Sequence, residues 1–204
     1  MKILAEHEVA FDTQTVGFPS LDGCLGLVYQ TTRGLFGYHI YGGNNSSAGD
    51  RATLFAAFVD SHGTGQQGTR LYGVCFVGKR GWLPTDGFSQ DKKQAWKQEL
   101  AIYAAALGYT GKVSGYDLSK KYAAASAYAE FRRVGDKSEL WVRKWEDAVD
   151  RPEAKKSSQP NPNRADHVKI VKRSAGVVKE DLLQVYTSVR ANQLVNVSKE
   201  KLKG

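Results

Sequence analysis

Cysteine, methionine and proline are scarce here: two, one and five residues among 204. Two cysteines make no disulfide framework, and their positions show no metal-ligand spacing. No apolar run approaches the length of a membrane span. The opening Met1-Lys2-Ile3-Leu4-Ala5-Glu6-His7-Glu8 turns acidic after a short apolar stretch, which reads against a signal peptide. No internal repeat is present. Gly63-Thr64-Gly65-Gln66-Gln67-Gly68 lacks a following Lys-Ser/Thr and a preceding strand, so it is not a phosphate loop. Asp22, Asp86 and Asp117 lack the spacing of a metal or glycosidase pair. Nothing in the sequence asks for a cofactor.

What is present is an ordinary globular composition, 41% hydrophobic and 25% charged, with an uneven charge. Residues 1–149 carry a net +2 and residues 150–204 a net +6. Basicity therefore belongs to the last quarter, which points to an acidic partner surface or a solvated region rather than a basic cleft. Nucleic acid ranks low among the expected partners, and a membrane is not expected.

Alternation and turn signals give four to six strands in the first 150 residues with two inserted helices, an α+β domain. A first strand is expected over 8–16, ended by Gly17-Phe18-Pro19. Strands Cys24 to Gln30 and Leu35 to Tyr41 flank Thr31-Thr32-Arg33-Gly34 as a hairpin. Ser47 with Asp50 resembles a capping box ahead of a helix bearing Leu54, Phe55, Phe58 and Val59. Arg70 to Val77 reads as a core strand, where Cys75 is a structural thiol. A second helix spans about Lys92 to Leu107, and a second hairpin is centred on Gly135-Asp136-Lys137-Ser138. The expected organisation is a catalytic domain over 1–149 and a Pro/Ser/Lys-rich linker over 150–166. A basic extension over 167–204 follows, with an edge strand, a helix over 179–189 and a frayed end.

Cys24 and His39 are the residues with chemistry to offer. In an antiparallel pair, opposed positions have a constant sum and share a face. If Gln30 faces Leu35, His39 faces Gly26, and Cys24 and His39 lie diagonally on one face. Any even-length turn keeps them there. A thiol needs an activating partner, because a free cysteine is only a few per cent thiolate at neutral pH. His39 is placed to deprotonate Cys24, hold a thiolate–imidazolium pair and protonate a leaving group. Backbone N–H groups near Cys24 are available to an oxyanion.

Leu21-Asp22-Gly23-Cys24, with His39 fifteen residues on, resembles the Leu-Ser-Gly-Cys signature of the glutamine deamidase superfamily. Its members include the catalytic domain of cytotoxic necrotizing factor, Burkholderia lethal factor and, more distantly, the chemoreceptor deamidases. The resemblance covers residues 15–45 by motif and the element layout to about residue 145. It implies a mixed or antiparallel β-sandwich flanked by helices, Cys24 as nucleophile, His39 as base and a thioester intermediate. It further implies conversion of a glutamine in a target protein to glutamate, by a toxin or secreted effector made in a cytoplasm and delivered into a target cell. Asp22 stands where these relatives carry Ser, which sets a negative charge beside the thiol. Some relatives complete the site with a Thr six residues before the Cys, where Phe18 stands here; others use a backbone carbonyl. Thr15, Asn44 and Asn45 are the candidate third members. The alternatives are a cysteine protease or transglutaminase-like acyl transferase, and a non-enzymatic module binding through its basic tail.

Overall fold

A computed structural model describes residues 1–42, 47–63, 67–119, 126–158 and 166–201. The chain opens with β1 (Lys2–Ile3), β2 (Glu8–Asp12), β3 (Thr15–Leu21), β4 (Leu25–Thr31) and β5 (Leu35–Ile40). Helix α1 (Ala48–Asp60), β6 (Gly68–Cys75), α2 (Lys92–Ala106) and β7 (Val113–Asp117) follow. Next come β8 (Ser126–Val134), β9 (Lys137–Trp145), α3 (Asp147–Glu153) and β10 (Lys155–Ser157). The last strands are β11 (His167–Arg173), β12 (Gly176–Glu180), β13 (Val185–Ser188), β14 (Val195–Val197) and β15 (Glu200–Lys201). They form two mixed sheets, ordered β10-β13-β1-β3-β8-β9-β14 and β12-β11-β2-β5-β4-β6-β7-β15. The fold is an α+β sandwich. Among the described residues no helix is long and apolar enough to cross a membrane.

Strand alternation explains the layering. On β4, Leu25, Leu27 and Tyr29 point outward into a layer built with Phe55 and Phe58 of α1 and Trp96, Leu100 and Tyr103 of α2. Cys24 and Val28 point the other way, into the layer between the sheets with Phe18, Phe131 and Val142. A strand buried on both faces needs apolar residues at successive positions, and β4 and β5 are buried throughout. Each fully buried large apolar side chain contributes on the order of 1.5–3 kcal/mol.

The expected hairpin forms in the register whose sum is 65: Gln30 pairs with Leu35 and Gly26 with His39. The second hairpin turns at Gly135, whose φ of 61° suits glycine. Cys75 is fully buried in β6 opposite Leu25. Ser47 is the N-cap of α1, but its hydroxyl accepts from Arg51 Nε at 3.0 Å instead of capping a backbone N–H.

Other expectations are corrected. Gly17-Phe18-Pro19 lies inside β3, because the ladder to β8 shifts register between Phe18 and Leu21 and the irregularity accommodates the proline. The helix over 179–189 is absent. Its residues contribute to β12 and β13, where Val185 and Tyr186 pair with Ser157 and Lys156, and Tyr186 with Ile3. The strand at 167 is interior, held between β2 and β12. Within the expected linker, Asp150 is buried and receives two hydrogen bonds from the Arg143 guanidinium; residues 159–165 lie outside the described residues. Glu200 and Lys201, expected to fray, pair with Gly115 and Ser114. Residues 167–201 thus belong to the two sheets rather than to an appendage.

Candidate active site

The turn joining β1 to β2, over Leu4-Ala5-Glu6-His7, wraps the end of β5. Its path follows from one backbone irregularity, His7 at φ 71°, a left-handed conformation costing roughly 1–2 kcal/mol for a residue with a Cβ. The turn grips His39 twice: His7 N–H donates to the His39 carbonyl at 2.7 Å, and the His39 ring Nδ1 lies 2.7 Å from the Leu4 carbonyl oxygen. A carbonyl only accepts, so Nδ1 carries the proton and Nε2 presents a lone pair. That Nε2 is buried and has no hydrogen-bond partner among the described residues.

His39 is fully buried, and burial lowers its pKa to about 4, leaving the imidazole neutral. Phe18 meets the ring edge-on at 5.8 Å between centroids. This approach depends on Gly26, where a Cβ would stand 3.0 Å from the Phe18 ring and 2.9 Å from Val74. Phe18 therefore steers the imidazole by packing, and Leu4 steers it by hydrogen bonding.

Cys24 sits one residue before β4, on the same inter-sheet side as Gly26 and His39, and is 4% exposed. Its Sγ–H donates to Glu6 Oε1 at 3.5 Å. Burial, then the Glu6 charge, push the thiol up to about 12; the Gly42 backbone N–H and Arg80 act in the opposite direction. The resting pair is thus a neutral thiol and a neutral imidazole, which corrects the expected thiolate–imidazolium pair. Asp22 is not the source of the shift. Its carboxylate is 64% exposed and is held by Lys79 Nζ at 2.6 Å.

Two loops fix the segment before the thiol. A Cβ on Gly42 would fall 2.1 Å from the Gly23 carbonyl oxygen, so only glycine permits this crossing. Arg80 donates from Nη1 to that same carbonyl at 3.1 Å while its other nitrogens grip Glu99, to which Trp82 Nε1 also donates at 2.8 Å. Arg80 and Glu99 are both fully buried, and such a pair is maintained only with its hydrogen bonds satisfied.

Glu6 also lines a cavity of about 230 Å³ with His7, Ser20, Trp145, Lys169 and Tyr186. Ser20 is held at φ 56°, so this cavity is bounded by two of the three non-glycine residues with positive φ among the described residues. Strain of this kind persists where the surroundings over-determine it.

Of the candidate third members, Thr15 lies at the other end of β3, its amide N–H bonded to Asp12 Oδ1 at 2.8 Å and its partner in the ladder Arg132. The Leu4 carbonyl holds the position at His39. Asn44 and Asn45 lie outside the described residues. Leu21 is buried at the end of β3. Leu4, Glu6, Gly42 and Arg80 escaped the sequence reading. The backbone carbonyl carries no sequence signal, and Glu6 stands in a turn without periodicity. His62 joins Asp166 at 2.9 Å, and His167 joins at 2.9 Å the Glu8 carboxylate, which also accepts from the Ala5 N–H in the turn that grips His39.

No protein-family model matches this chain, and no curated protein sequence matches it.

Proposed function

We propose that this protein is a cysteine-dependent glutamine deamidase-like hydrolase, acting as a toxin or secreted effector on a glutamine of a target protein. The observation that carries the reading is His39, oriented through Nδ1 by the Leu4 carbonyl, with Nε2 buried and unpartnered among the described residues, on the side of the sheet that bears Cys24. The Leu-Asp-Gly-Cys resemblance supports it, and a backbone carbonyl is one of the ways relatives orient the histidine.

With thiol and imidazole both neutral at rest, proton transfer accompanies bond formation. Sγ attacks the side-chain carboxamide carbon as His39 Nε2 takes the thiol proton. The imidazolium returns that proton to the departing nitrogen, ammonia leaves, and a thioester remains. Water, deprotonated by the same nitrogen, then releases glutamate and restores the thiol. Every step uses groups of this chain and water.

The test is mass spectrometry of candidate target proteins incubated with the full chain, reading the mass increase that accompanies glutamine-to-glutamate conversion. Cys24→Ser and His39→Ala are expected to lose at least 100-fold in rate. An active Cys24→Ser protein sinks the reading. Target cleavage, or incorporation of an added amine in place of water, reassigns the chemistry to proteolysis or acyl transfer.

A further inference from the structure

Glu6 is an anion placed against a buried thiol, an arrangement that nucleophile activation alone would avoid. Its Oε1 accepts from Cys24 Sγ at 3.5 Å, and its side chain is exposed to the 230 Å³ cavity. Lys169 and Arg151 line the same cavity, yet among the described residues neither pairs with Glu6. The carboxylate keeps its remaining acceptor capacity for something arriving from solvent.

We propose that Glu6 is the specificity-determining residue of this site, accepting a hydrogen bond from the –NH2 of a primary carboxamide and excluding carboxylates. The inference rests on the deamidase reading and names how its substrate is told from its product. An ionised carboxylate only accepts hydrogen bonds, and a primary amide offers two N–H donors. An N–H···O contact of about 2.9 Å to Glu6 Oε1 holds the carboxamide beside Sγ, which lies 3.5 Å from that oxygen, and attack needs the carbon at about 3–3.5 Å. The incoming –NH2 also displaces the thiol from Glu6, freeing the S–H to turn toward His39 Nε2. The sulfur–carbon bond then forms, and the carbon–nitrogen bond breaks as ammonia departs with the proton carried by His39. The product carboxylate has no donor for Glu6 and carries the same charge, so it is expelled.

Paired reagents test this without a known target. Iodoacetamide and iodoacetate deliver the same alkyl group to sulfur, one with a primary carboxamide and one with a carboxylate. Their rates with Cys24 in the native full-length chain are read by peptide mapping near pH 7.5, each divided by the rate with free N-acetylcysteine. The normalised amide-to-acid ratio is expected to exceed about tenfold in the wild type, since like charges about 4 Å apart at a protein surface repel by more than the energy of a tenfold change. It is expected to fall to about one in Glu6→Gln and Glu6→Ala. Because both reagents meet the same sulfur, the ratio is independent of how far each substitution changes thiol ionisation. A wild-type ratio near one, or a ratio unchanged in both variants, overturns the assignment even if deamidation is found. A ratio that collapses as expected supports amide selection by Glu6, and failure of every target to be deamidated then counts against the reaction alone.

Discussion

A buried imidazole bonded through one nitrogen and unpartnered at the other is fixed in tautomer and in charge. For His39 the consequence can be read as stability. Its pKa falls from 6.5 to about 4 because burial disfavours the cation. The unfolded chain therefore binds a proton near pH 6.5 that the folded chain refuses until near pH 4. The stabilisation is complete above pH 6.5 and is lost as the pH falls toward 4, on the order of 3 kcal/mol for this residue. His7, lowered to about 4 by burial and by Arg51, Lys169 and Arg173, acts in the same direction. Urea midpoints measured between pH 7 and 4.5 are expected to fall steeply. His39→Asn keeps an N–H donor toward the Leu4 carbonyl without a titrating ring, and is expected to flatten that slope. At this scale the sequence disclosed the pair and hid its supports. Cys24 and His39 are chemically distinctive and their shared side follows from strand register. Leu4 acts through a carbonyl that any residue would supply, and Glu6 stands where no period constrains it.

Among the elements, the β4–β5 hairpin was legible because an even turn and two apolar runs leave few registers. Its surroundings were less so. Gly17-Phe18-Pro19 carries the signals of a strand break, yet β3 absorbs all three because β8 pairs alongside and a register shift takes up the proline. Leu182, Leu183, Val185 and Tyr186 suggest a helix by spacing, but Val185 and Tyr186 belong to β13 and Leu183 lies in the bend before it, 88% exposed. The crossing of two glycines beside Cys24 yields a contrast that helical or strand propensity would not predict. A Cβ at Gly23 would find its nearest neighbour at 3.5 Å, whereas one at Gly42 would meet the Gly23 carbonyl at 2.1 Å. Gly23→Ala is expected to stay within about 0.5 kcal/mol of the wild type. Gly42→Ala is expected to cost about 2 kcal/mol or more by forcing the two backbones apart. It should also change the alkylation rate of Cys24 several-fold. Chemical denaturation and peptide mapping of the two variants check both statements.

For the whole molecule, the last quarter of the chain is where sequence reading went furthest from the structure. A basic, Pro/Ser/Lys-rich composition signals exposure, but strand pairing depends on backbone hydrogen bonds, which composition does not report. β11 extends the sheet from β2, β13 holds β1 on one side while β3 holds it on the other, and β14 covers the edge of β9. Removing residues 167–204 is expected to abolish the cooperative thermal transition followed by circular dichroism. Removing only residues 198–204 costs the two-residue strand β15 and is expected to leave the transition in place. A cooperative transition in the shorter protein would mean that the first 166 residues fold alone.

The pairing of Ile3 with Tyr186 also orders events in time. Synthesis delivers Leu4, Cys24 and His39 early, but β1, the strand just before Leu4, has only β3 as a neighbour until residue 186 has left the ribosome. A nascent chain thus holds its thiol and its base long before it holds the base in place. On the proposed reading, the reactive pair is therefore fully braced only after Tyr186 has been synthesised and has paired with Ile3.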